Sequence, residues 1–286
     1  ALPISLLPAP GHGAAPAPAP AVETGSPEDL LRKAEQTARA GNRTEAIAIV
    51  TQVIVSSPEH RNALALRGRY YSDARQDAKA VEDFSKLLKL DPKATGIYQL
   101  RGWCQFRLGR FPEAVADFDK VIELRPEQAP HHWQRGIALY YANRFDDGRK
   151  QFELHQTVNP RDVENAAWHF LCTARLAGLD KARRTLIPIE GDPRVPMKEV
   201  QSLFAGTAQP ADVLAAAKAG RTGPDRLNEA LFYAHLYLGL YHEAAGDALK
   251  AREHILKSAT EFQADHAMGD VARVHARVLQ GKKAAK

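Results

Sequence analysis

A proline and a glycine recur at one fixed distance along this chain. Pro58, Pro92, Pro126 and Pro160 are each 34 residues apart, and Gly68, Gly102 and Gly136 keep the same step. Small residues follow it too (Ala46, Ala80, Ala114, Gly148, Ala182), as do large apolar ones (Val50, Phe84, Phe118, Phe152, Leu186). Such a period predicts paired helices that stack in a row, because one hairpin cannot bury its own apolar face. Proline lacks an N–H and disfavours helix in the residue before it, so it closes each second helix. Glycine on the first helix lets the second cross closely, where a Cβ would push the pair apart. The alanines do the same from the other side, and the phenylalanines are expected to fill the space between repeats.

With small residues at the eighth and twentieth positions, a large apolar one at the twenty-fourth and Pro at the thirty-second, the pattern resembles the tetratricopeptide repeat (TPR). The resemblance implies an all-α fold, a TPR α-solenoid: a right-handed superhelix of helix-turn-helix repeats, here with an irregular helical insertion. Four units are expected at 27–60, 61–94, 95–128 and 129–162. Residues 163–225 read as a degenerate repeat plus the insertion. Phe170 takes the eighth position there, so its packing must be looser or different. "IPIEGDPRVP" reads as a loop, and "MKEVQSLFAG" and "PADVLAAAKAG" as short helices ended by Gly206 and Gly220. The pattern returns over 226–280, with Gly239, Gly246 and Ala251 in register. A last helix, Asp265 to Leu279, carries Ala267, Val271, Val274 and Val278 at helical spacing and is expected to cover an exposed end. Residues 281–286 read as a frayed tail.

Residues 1–26 form a Pro/Ala-rich linker or the remnant of a signal peptide. Ala-Pro alternation favours extended chain and builds no core. "LPISLL" offers an apolar segment and "GHGAAPA" small residues for cleavage, which predicts an exported protein, periplasmic or secreted. The alternative is an artificial chain boundary and a cytoplasmic location. No apolar run is long enough for a transmembrane helix.

The second half has a narrower likeness. "AWHFL", the irregular insertion, "NEALFYAHLYLGLYHEAAGDALKAREHI" and a closing helix with His are similar to the NlpI-type bacterial outer-membrane lipoproteins, over about residues 160–280. That resemblance implies an adaptor facing the periplasm, holding a protease and its substrate, or cell-wall enzymes, together. A mature lipoprotein begins with Cys, whereas Ala1 stands first here, so a lipid anchor is not expected.

The charge balance points away from a dedicated nucleic-acid binder. Net charge is +5, but 27–162 carries 22 bases against 19 acids and 163–286 carries 17 against 14. The surplus is spread thinly rather than gathered in a basic stripe. Cys104 and Cys172 stand at equivalent points two repeats apart, too distant to bridge, and read as buried thiols. No HExxH, CxxC, GxxxxGK[ST], GxGxxG or GxSxG occurs. His131 and His132 point apart on a helix, and His235 and His242 are two turns apart, too far to share an ion without a third element. No catalytic residue, metal site or cofactor is expected. A hydrolase hidden in the insertion ranks last among the readings.

The first helices of such a solenoid line its concave face. Their inward positions are Asn62, Ala65, Arg69, Ser72 and Asp73, then Gly96, Gln99, Trp103, Phe106 and Arg107, then Pro130, Trp133, Ile137, Tyr140 and Tyr141. Aromatics and arginines dominate binding energy at interfaces. Asn62, Arg69, Gln99, Trp103, Phe106, Arg107, Trp133 and Tyr140 are therefore the expected groove for a peptide or helix of a partner protein. The competing reading packs the aromatics between first helices and leaves Arg69 and Arg107 merely solvated. Some tetratricopeptide domains clamp a terminal carboxylate with Lys, Asn, Asn, Lys and Arg; Arg69 and Leu100 break that pattern. The alternative partner is an acidic polymer, glycan or RNA, held by the concave arginines and lysines. A homo-oligomer is compatible with all of this.

Overall fold

The structure is a computed structural model that describes residues 25–219 and 223–284. Residues 1–24 of the N-terminal tract, Gly220 and the last two residues of the tail lie outside the described residues. The chain forms two compact units that divide between Ala63 and Leu64.

The first unit is a helical hairpin, α1 (Pro27–Arg39) and α2 (Arg43–Ser56), plus the opening residues of α3 (Arg61–Asp73). Ser26 caps α1: its Oγ accepts the N–H of Asp29 at 3.2 Å. Pro27 takes the first helical position, where a missing N–H costs nothing. Ala34 and Ala46, the small positions of this hairpin, are fully buried, with Ile49, Val50 and Val53.

The second unit holds the rest of α3 and then α4 (Asp77–Leu90), α5 (Thr95–Arg107) and α6 (Phe111–Leu124). A 3₁₀ turn (Pro126–His131) precedes α7 (Trp133–Tyr141) and α8 (Phe145–Gln156). After α9 (Val163–Ala177) come α10 (Leu179–Arg184), α11 (Met197–Ala205) and α12 (Pro210–Lys218). The chain ends with α13 (Pro224–Ala244), α14 (Ala248–Leu256), a π turn (Lys257–Glu261) and α15 (Ala267–Ala284). No strand occurs among the described residues. Neighbouring helices pack in sequence, α4 on α5, α5 on α6, α6 on α7, α7 on α8 and α8 on α9.

The periodic glycines do what their spacing predicts. A Cβ on Gly68 would stand 2.5 Å from the Phe84 ring, one on Gly102 2.7 Å from Phe118, and one on Gly136 2.6 Å from Phe152. Two of the phenylalanines also reach the next unit, as expected from sequence: the Phe118 ring is 4.9 Å from that of His132 and Phe152 stacks on Trp168 at 6.5 Å. Each ring lies over the glycine of its own hairpin. The returning repeat uses the same device with an aliphatic residue: a Cβ on Gly239 would stand 2.6 Å from Ile255. The prolines stop helices as predicted, with α4 ending at Leu90 before Pro92 and α6 at Leu124 before Pro126.

A second periodic device escaped the sequence reading. Arg67 binds the nearly buried Asp83 with two 2.7 Å hydrogen bonds, and Arg101 binds Asp117 at 2.9 and 2.6 Å. Arg135, one period on, meets Gln151 at 3.0 Å and Asp119 at 2.6 Å. Bidentate pairing of this kind ties the two helices of a hairpin in a fixed register.

Four expectations need correction. Pro130 does not lie on the first helix of its unit but in the 3₁₀ turn before it, because two prolines within five residues remove the N–H groups a regular first turn would use. Phe170 is not loosely packed: it is fully buried, its ring 4.9 Å from that of Phe204 on α11. The insertion thus supplies the partner that the short α10 cannot. The tail is helical through Ala284. Finally, α15 does more than cover an end. It reaches back to α5, burying Val271, Ala272 and Val274 almost completely.

Candidate functional site

The face built by α5 and α7 carries most of the residues singled out from sequence, and α15 already lies on part of it. Asp270 of α15 is nearly buried. Trp103 Nε1 donates to its Oδ2 at 3.0 Å, Arg273 Nη2 to its Oδ1 at 2.8 Å, and the guanidinium of Arg75 also binds it. Arg107 Nη1 stands 3.5 Å from the same carboxylate. Three guanidiniums and an indole N–H thus converge on one buried anion. Further along α15, Tyr141 Oη and His275 Nδ1 are 2.8 Å apart, and Arg277 donates to the main-chain carbonyl of Arg107.

This arrangement sorts the predicted residues. Phe106 is fully buried and Tyr140 nearly so; both belong to the core rather than to a binding surface. Phe106 stacks on Trp103 with centroids 4.8 Å apart and meets Tyr141 edge-on at 5.4 Å. Here the competing reading, aromatics packed between first helices, describes the molecule. Arg107 is engaged as well: Nε lies 3.0 Å from Asp77 Oδ1 and Nη2 donates to Ser72 Oγ at 2.7 Å. It is not free to hold an acidic polymer. Arg69 is exposed on α3, and Asn62 is exposed in the first unit. Gln99 and Trp133 remain half-buried on the face, and Trp133 meets Trp103 edge-on at 6.1 Å.

Two cavities adjoin at Trp133 and His131. The larger, about 510 Å³, is lined by Trp133, Phe152, Glu164, Asn165, Trp168 and, from α15, Met268, among others. The smaller, about 350 Å³, lies toward α5 and is lined by Gln99, Arg125, Gln128 and Gln134, among others. Sequence reasoning located Trp133 and Gln99 but missed Asn165 and Trp168. They stand on α9, at the point where the repeat pattern degenerates and inward positions are no longer counted.

Burial sets the protonation of several groups. It lifts Glu164 to about 7, Arg194 acting against it. It pushes the Cys104 thiol up to about 11 and Cys172 higher still, so neither is a ready nucleophile. His235 and His242, which sequence spacing left apart, are joined by His254. The Nδ1 atoms of His235 and His254 are 2.8 Å apart, and the rings of His254 and His242 stack at 5.6 Å. Burial lowers all three, His235 to about 4, with the neighbouring His254 as the second cause for that residue. Among the described residues no group of three or more His, Cys, Asp or Glu side chains is arranged to hold a metal ion, and no helix is long and apolar enough to cross a membrane.

Comparison with known proteins agrees with this architecture. A family model described as tetratricopeptide repeat matches residues 31–95 and 67–129. A tetratricopeptide repeat protein from Parabacteroides merdae superposes with a TM-score of 0.59, at 16% identity, over 89% of this chain and 99% of that one. MamA protein superposes with a TM-score of 0.53, at 16% identity, over 69% of this chain and 98% of its own. MamA from Desulfovibrio magneticus gives 0.51, at 17% identity, over 56% and 91%. At these identities the likeness is one of fold. No curated protein matches the sequence.

Proposed function

We propose that this tetratricopeptide-repeat protein is a non-enzymatic scaffold that captures a peptide or helical segment of a partner protein beside Trp133. The fold supports an interaction role in general. The finer reading is carried by one observation: the α5–α7 face holds a helix, α15, over part of its length, and continues past it into two open cavities that meet at Trp133. A face already complementary to one helix has the shape and the mixed aromatic and polar lining to take a second segment. The expected groove therefore shrinks. Trp103, Phe106, Arg107 and Tyr140 support it from within, while Gln99 and Trp133 meet the partner. Large aromatics at the centre of such a contact contribute most of its energy, ~2 kcal/mol or more each.

Panning a peptide library against the full chain and against Trp133→Ala is the direct test. Sequences enriched on the native protein and lost on the variant support the groove. Enrichment that ignores the substitution removes it. The likeness of residues 160–280 to NlpI-type proteins supports a setting in the bacterial envelope. Fractionation of host cells decides that point, and a protein confined to the cytoplasm rejects it.

A further inference from the structure

The wall of the larger cavity carries more negative charge than its neighbours neutralise. Asp162 and Glu164 line it, at the start of α9. Both turn to Arg194, as does Asp192 from the loop before α11. Arg194 Nη2 stands 2.5 Å from Asp162 Oδ1 and 2.6 Å from Asp192 Oδ2, and Nη1 binds Glu164 Oε1. Glu164 Oε2 accepts the hydroxyl of Tyr237 at 2.5 Å, and Asp162 Oδ2 accepts Asn159 Nδ2 at 3.1 Å. Three carboxylates share one guanidinium, and their side chains are only 17%, 12% and 2% exposed for Asp162, Glu164 and Asp192. With Glu164 near its midpoint at neutral pH, the surplus is between one and two negative charges. In a partly buried site that surplus is poorly screened.

A separate observation says what kind of group complements this wall. Asn165, also lining the cavity, is 2% exposed. Its Nδ2 donates to the Phe152 carbonyl at 3.1 Å and to Gln156 Oε1 at 2.9 Å, but its Oδ1 has no partner in the protein. A buried acceptor left unmet is costly, and it asks for a donor. Guanidinium and ammonium groups only donate, and they carry the charge the wall lacks. The indole of Trp133, half-buried on this lining, adds the side chain whose face attracts cations best. Trp168 Nε1 is itself without an acceptor in the protein, a need that a carbonyl of a bound backbone meets.

We propose that this cavity receives a basic side chain, arginine or lysine, from the partner segment; the inference rests on the peptide-binding reading above. The test uses immobilised short peptides selected on the native chain, each remade with its anchoring position as Arg, Lys, citrulline, Gln or Glu, and probed with the full-length protein. Arg or Lys should bind about tenfold or more tightly than citrulline, the neutral isostere of arginine, and Glu should not bind. The preference should shrink as salt rises. Asp162→Asn should bring Arg and citrulline close to parity. Because Asp162 also caps α9, Trp133→Leu serves as the second variant and should lower the same ratio while leaving helix content unchanged. Equal binding of Arg and citrulline peptides, or preference for Glu, overturns the proposal. Failure to select any peptide on the native chain overturns the peptide-binding reading instead.

Discussion

Replacing Gly102 with alanine would set a methyl group where the Phe118 ring already sits. The new Cβ would lie 2.7 Å from Phe118 Cε1, 3.0 Å from Cδ1 and 3.1 Å from Asp117 Cβ. Ordinary carbon contacts are ~3.5–4.0 Å, so the ring must retreat by about 1 Å. It has little room, being fully buried, and Asp117 is pinned by Arg101 at 2.9 and 2.6 Å. Overpacking of this kind costs ~1–3 kcal/mol, and the better helix propensity of alanine offsets ~1 kcal/mol. The net expectation is a loss of about 0–2 kcal/mol. Gly96, on the same helix, is the control: nothing lies within 4 Å of its would-be Cβ, so Gly96→Ala should stabilise by ~0.5–1 kcal/mol. Urea unfolding followed by tryptophan fluorescence reports both, since Trp103 adjoins Gly102. The midpoints should move in opposite directions at an unchanged slope. Adding Phe118→Leu to Gly102→Ala should cost less than the two changes summed, because the smaller side chain vacates the methyl's place. Equal, stabilising shifts for Gly102→Ala and Gly96→Ala would refute the account of why glycine recurs every 34 residues.

Asp270→Ala removes the one buried carboxylate that Arg75, Arg107 and Arg273 share, and should cost ~3 kcal/mol or more by urea unfolding; a loss under ~1 kcal/mol would mean that the cluster does not hold α15 down. Burial lowers His132, His169, His235, His242, His254 and His266 below the imidazole value of the unfolded chain. The unfolded chain then binds more protons as pH falls through about 6.5 toward 4, so stability should drop across that window, with His235 alone accounting for on the order of 3 kcal/mol. Glu164 acts oppositely, since its raised value favours the protonated folded form and its contribution fades as pH rises through about 7. Urea midpoints at pH 7 and pH 5 should therefore differ less in His235→Gln and more in Glu164→Gln; unchanged differences reject the assignment. Cys104 and Cys172 are fully buried, so neither should react with a thiol reagent until urea unfolds the chain, and prompt labelling of the native protein would place them at the surface.

The hairpins were legible because they depend on residues at fixed separations within one period. Gly68 and Phe84, or Arg67 and Asp83, meet whatever the rest of the chain does. The Arg–Asp pairs were visible in principle, since Arg67, Arg101 and Arg135 keep the period; what hid them is that charged residues are usually solvated, so a periodic charge draws less attention than a periodic glycine. The role of the rings was only half readable: spacing pointed Phe118 toward the next unit, where it meets His132, without saying that the same ring covers Gly102 of its own hairpin. Trp133 was found as an inward position of a regular helix. Asn165, Trp168 and the carboxylates around Arg194 were not, because they gather across an irregular stretch where neither repeat spacing nor motif applies. The return of α15 was the least readable feature. Its apolar stripe announces a buried face, but the surface that buries it lies among residues far earlier in the chain.

That return alters the assembly logic of the second unit. In an open array each hairpin touches only the ones beside it, so the array tolerates gain or loss of a unit. The bond between Arg75 and Asp270 spans 195 positions, and that between Arg107 and Arg277 spans 170. Such a clasp can close only when the intervening hairpins are all present and correctly counted. Duplicating or deleting one would carry Asp270 past its guanidiniums, so this chain is bound to its length in a way its modular ancestry alone does not require, and it should fold more slowly than an unclasped array of equal size.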